Sequence, residues 1–135
     1  MTVVERRARY VLAVCVAAVV AVTAIYGITG NFAEAMGGLG VLGLEGAAPV
    51  IGLREKRRGE VIVDERDRAI LQSAGRIAFA GLWLAASVLV VGLSVGGAST
   101  VRVSAIVSAA WFAWLLLSAI HASSVLWMCG LQRAR

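Results

Sequence analysis

The sequence predicts an all-α integral membrane protein: a four-helix bundle of two helical hairpins, one domain over residues 1–135, with both termini cytoplasmic. Three observations carry that expectation. Hydrophobic residues make up 60% of the chain, against roughly 45–50% in soluble domains, and mean hydropathy is +0.86. Charged residues make up 16%, where about 25% is usual. Those few charges cut the chain into apolar runs of membrane length. Tyr10 to Ala33 is 24 uncharged residues, and 19 residues with the single charge of Glu45 separate Glu34 from Arg54. A further 25 separate Arg76 from Arg102, and 30 separate Arg102 from Arg133. A helix needs about 20 mostly apolar residues to cross a bilayer, and a bilayer accepts only helices or a closed barrel. No strand-like alternation is present. The composition excludes a soluble globular domain, a disordered chain and a disulfide scaffold.

Span one is expected near 10–29. Arg6, Arg7 and Arg9 precede it, but no small-x-small cleavage site stands before a polar region, so it reads as a retained helix. Ala13, Ala17 and Ala21 form a ladder of small residues at four-residue spacing. Span two, near 33–53, is dense in glycine, with Gly37, Gly38, Gly40, Gly43, Gly46 and Gly52. Small residues mark helix interfaces in lipid. Ala33 with Gly37 and Gly43 with Ala47 make small-xxx-small pairs, so span two is expected to be the most closely surrounded helix. On an α-helix the three-residue period of Gly37, Gly40, Gly43 and Gly46 winds around the axis. Pro49 is expected to bend this helix near its inner end. Spans three and four are expected near 71–96 and 102–129, with Gly81 and Ala85 as a further small pair.

Orientation follows from the bases. Twelve of the thirteen Lys and Arg lie before span one, between spans two and three, or after span four, with Arg102 alone on the other side. The positive-inside bias therefore puts both termini and the central loop, 54–70, in the cytoplasm of a multi-pass cell-membrane protein, an inner-membrane one. It also accounts for the net charge of +5 without nucleic acid, since no basic face interleaved with aromatics stands outside the spans.

The polar residues inside the spans are the candidate site. A carboxylate in the membrane is expensive and faces the bundle or a wet cavity. Glu45 is such a group, and His121 in span four lies at matched depth on a parallel helix. Two readings stand side by side: a static polar contact, or a pair that handles a proton. Glu34 and Arg102 begin the same two helices and suggest an outer ion pair fixing their register. Glu34 and Glu45, eleven residues apart, share a face of an α-helix and sketch a short acidic track. Cys15 and Cys129 lack metal-ligand spacing and read as inert thiols. Trp111 and Trp114 read as packing, and the span-four serines as bonding their own backbone or a neighbour.

The loop has two parts. Arg54, Lys56, Arg57 and Arg58 lie directly below a span and suit anionic phospholipid headgroups. Asp64, Glu65, Arg66, Asp67 and Arg68 read as a helix start, with Asp64 as cap, Asp67 in the first turn, and Asp64 paired to Arg68 at i,i+4. At Asp64-Glu65-Arg66-Asp67, with Ala69, Ile70 and Ala74 following, the chain resembles an uncharacterised family of small prokaryotic four-span membrane proteins. These carry Asp-Glu-Arg-Asp or Asp-Glu-Arg-Glu before the third span. The resemblance implies that topology and a cytoplasmic partner, and no reaction. Small multidrug transporters share the length and four spans but hold their membrane glutamate in the first span, where this chain has none.

No catalytic triad, metal cluster, cofactor motif or phosphate loop is present in the sequence. It therefore predicts a non-enzyme: a small interaction or regulatory membrane protein, as a homo-oligomer or bound to a membrane or cytoplasmic partner. The alternative is a proton-coupled small transporter or channel using Glu45 with His121.

Overall fold

The computed structural model describes residues 2–51, 64–95 and 103–133. Among them every regular element is helical. Helix α1 spans Val3–Thr29, capped at its start by the Thr2 hydroxyl, which accepts from the Glu5 N–H. Gly30 ends it in the left-handed region at φ 62°, its N–H donating to the Tyr26 carbonyl. Only glycine adopts that conformation without a Cβ clash. Asn31 then caps the next helix, its side chain accepting from the Ala33 N–H at 3.0 Å. The turn between α1 and the next helix is therefore two residues with opposite duties.

Helix α2 is a single α-turn, Phe32–Ala35, that continues as a 3-10 helix over Met36–Val50. Such runs rarely exceed four residues, because side chains at i and i+3 eclipse one another. This sequence relieves the crowding by repeating glycine every third residue. At three residues per turn, Gly37, Gly40, Gly43 and Gly46 stop winding and line up as one straight, exposed face that Pro49 completes. Met36, Leu39, Leu42, Glu45 and Ala48 form a second face, and this one is turned inward, with Leu39 and Leu42 only 1% and 2% exposed. Pro49 lies in the last turn of the helix, which ends at Val50 with Ile51 extended, so almost no helix follows the proline for it to bend.

Helix α3 spans Glu65–Val95 and α4 spans Val103–Arg133. α3 starts where the Asp64 cap places it, the carboxylate accepting from the Asp67 N–H at 2.7 Å. The expected Asp64–Arg68 side-chain pair is not among the ion pairs of the described residues. Arg68 instead donates its backbone N–H to the Asp64 carbonyl. Asp64→Ala should cost about 1 kcal/mol and speed hydrogen exchange in the first turn of α3, whereas Asp64→Asn should leave both nearly unchanged.

Among the described residues, three helices are long and apolar enough to cross a membrane: Val3–Thr29, Glu65–Gly92 and Ala105–Leu131. α1 packs against both α2 and α4, and α3 packs mainly against α4. Two apolar clusters hold them together. Val4 and Ala8 of α1 meet Ile70 and Ala74 of α3 and Ala122 and Val125 of α4. This brings the start of α1, the start of α3 and the end of α4 to one end of the bundle. Higher up, Val14, Cys15 and Ala18 meet Leu39 and Leu42.

Two packing expectations are corrected. α1, not the glycine-rich segment, is the most surrounded helix, because the inward face of α2 is covered while its glycine face stays bare. Of the ladder Ala13, Ala17 and Ala21, the first two are exposed and the interface there uses Val14, Cys15 and Ala18, while Ala21 lies against Gly38. Among the described glycines of span two, Gly38 alone is pressed against a neighbour: a Cβ there would lie 2.7 Å from the Val22 nitrogen and 2.9 Å from the Ala21 carbonyl carbon.

Candidate functional site

Glu45 sits where three helices meet. The 3-10 geometry puts it directly in line with Leu39 and Leu42, so the face that packs also carries the carboxylate inward. One oxygen, Oε2, accepts from Ser118 Oγ at 2.8 Å and Trp114 Nε1 at 3.0 Å, both on α4. The other, Oε1, accepts from Cys15 Sγ of α1 at 3.5 Å. Direct packing between α2 and α4 is sparse, so these bonds are the principal polar link between them. A carboxylate offers about four lone-pair positions, and three donors here are directed at it. The arrangement is a clamp: it ties a glycine-rich helix of weak intrinsic stability to two firm α-helices.

Below it α1 grips the end of α2. Arg7 donates from Nε to the Ile51 carbonyl at 2.9 Å and from Nη2 to the Pro49 carbonyl at 3.2 Å. The last carbonyls of a helix have no partner within it and attract cations. Tyr10 donates its hydroxyl to the Leu44 carbonyl at 2.9 Å. Along this hairpin, then, Arg7, Tyr10 and Cys15 hold the lower half of α2, and the Gly38 contact seats the upper half.

The other expected residues fall elsewhere. His121 lies one turn beyond Ser118 on α4 and lines a small cavity with Arg7; no hydrogen bond joins it to Glu45 among the described residues. Glu34 is exposed and accepts from Asn31 Nδ2 at 3.0 Å. It sits in the α-helical turn before the geometry changes to three residues per turn, so it does not extend the inward face of Glu45 into a track. Arg102, the proposed partner of Glu34, lies outside the described residues, as do Arg54, Lys56, Arg57 and Arg58. Asp64, Glu65 and Arg66 are exposed while Asp67 is 8% exposed.

Sequence reasoning missed Trp114 and Ser118 as the partners of Glu45. Their i,i+4 spacing puts two hydrogen-bond donors on one face of α4, and that was the available signal. No group of three or more metal-ligating side chains occurs among the described residues. No family model, curated protein or solved structure matches the chain.

Proposed function

We propose that the chain is a small four-span inner-membrane protein of the interaction or regulatory type, without catalytic activity, which associates with a second copy of itself through the glycine face of α2. The observation that carries this reading is the bare line of Gly37, Gly40, Gly43 and Gly46. A Cβ built on any of the four meets no atom within 4 Å. In lipid there is no hydrophobic drive between helices, and close backbone approach at small residues is what joins them. A face of this kind held outward by the Glu45 clamp is suited to receive another helix.

The fourth crossing is part of the proposal. The 3-10 helix of 15 residues rises about 2.0 Å per residue, giving roughly 30 Å, which equals the hydrocarbon thickness of about 30 Å. Stretching lets a short segment span. With α1 and α3 starting at the same end where α4 finishes, the distribution of bases supports cytoplasmic termini. The proton-handling alternative needs Glu45 and His121 to exchange a proton. The three donors on Glu45, none of them His121, support the clamp instead.

The test is energy transfer between differently labelled full-length copies in phosphatidylcholine–phosphatidylglycerol vesicles, diluted with lipid. Wild type should show transfer that falls with dilution. Gly40→Leu and Gly43→Leu should abolish it while leaving helicity unchanged, since the space there is open. Gly27→Leu, on an equally open face of α1, should retain it. Equal transfer in all variants would sink the proposal.

A further inference from the structure

The end of the bundle where α1 and α3 begin holds a second feature, independent of the glycine face. A cavity of about 190 Å³ is lined there by Val4, Arg7, Ala8 and Val11 of α1, Leu71 of α3, and His121, Ala122 and Val125 of α4. Its walls are apolar except for two side chains, both nitrogen donors. Arg7 uses Nε and Nη2 on the end of α2, which leaves Nη1 with no bond among the described residues. His121 has no hydrogen bond there either, and no carboxylate lines the space. The volume is several times the roughly 30 Å³ share of one water.

One turn further along the same two helices runs an open groove of about 520 Å³. Leu12, Val16 and Val19 of α1 and Phe112, Leu116 and Ala119 of α4 line it, and apart from the Cys15 thiol, which is turned to Glu45, the other lining residues are aliphatic. Leu12 follows Ala8 by four residues and Ala119 precedes Ala122 by three, so the groove continues the seam in which the cavity sits. Two donors at the charged end of a bundle, followed by an acyl-sized apolar groove, match one class of molecule.

We infer that this seam is a binding site for a phospholipid, its phosphate held by Arg7 and His121 and one acyl chain lying in the groove toward Phe112. An arginine supplies a permanent charge and geometry suited to phosphate oxygens. The imidazole adds a second donor from the opposite helix. The Arg7 contact would then serve two ends, fixing the last turn of α2 and seating the lipid.

The full chain, purified in detergent, is to be mixed with phosphatidylglycerol and examined by native mass spectrometry. Wild type should retain one lipid per chain through detergent removal. His121→Leu should lower that retention about ten-fold, the loss of one hydrogen bond to a charged group. Because His121 makes no bond on which the fold rests, this variant separates binding from folding. Arg7→Gln should lower retention further, whereas Arg9→Gln, whose guanidinium is paired with Glu5 at 2.7 Å, should leave it unchanged. Equal retention in wild type and His121→Leu overturns the inference. So does ³¹P NMR showing that inorganic phosphate binds the chain while phosphatidylglycerol does not.

Discussion

Glu45→Ala should loosen α2 from α4 and lower the stability of the reconstituted protein by about 2–4 kcal/mol. Two hydrogen bonds from α4 end on this carboxylate, and bonds to charged groups contribute about 1.5–3 kcal/mol each. The total is set below their sum because side chains freed within a membrane find other partners. Glu45→Gln keeps one acceptor oxygen and should cost about half as much. A thermodynamic cycle with Ser118→Ala isolates the clamp: once Glu45 is gone, removing the Ser118 hydroxyl should add almost nothing. Reversible unfolding in sodium dodecyl sulfate, with hydrogen exchange across 36–50, reads both effects. Additive losses in the double variant would show that the two side chains act apart.

Gly38→Ala is the second large effect, and its interest lies in contrast with Gly43→Ala. At Gly38 the added carbon meets the backbone of Ala21 and Val22 at 2.9 and 2.7 Å. Backbone cannot rotate away as a side chain can, so the helices must part. Overpacking of this kind costs about 1–3 kcal/mol, and the displaced segment also strains the Glu45 clamp one face away. At Gly43 the same methyl meets open space, so folding stability should hold and only association should suffer. Two glycines five positions apart thus separate fold from assembly. The check is to measure unfolding and inter-copy energy transfer on the same two preparations.

Much of this was written in the sequence. The apolar runs located the helices that are long enough to cross, and Asp64 marked the start of α3, because caps and charges act locally and leave local traces. The membrane carboxylate drew notice for its cost alone. What escaped was the helix type. A period of three glycines was visible, but interpreting it on an α-helix made it wind, and every inference about faces followed that assumption. On a 3-10 helix the same spacing makes a straight face, places Glu45 in line with Leu39 and Leu42, and parts it from Glu34. The role of Trp114 and Ser118 also depends on that turn, since only tertiary packing brings them beneath Glu45. The centrality of α1 was hidden for a similar reason: glycine content shows where backbones are able to approach, not where they do.

The account rests most heavily on the glycine face of α2 meeting another α2. Cysteine cross-linking in vesicles tests it directly, in a chain whose Cys15 is replaced by serine, which keeps a donor for Glu45, and whose Cys129 is replaced by alanine, with one cysteine introduced at a time. Gly43→Cys should form a disulfide-linked dimer under mild oxidation, Gly40→Cys likewise, and Val16→Cys on the lipid-facing side of α1 should not. Dimers from Val16→Cys with none from Gly43→Cys would contradict the account.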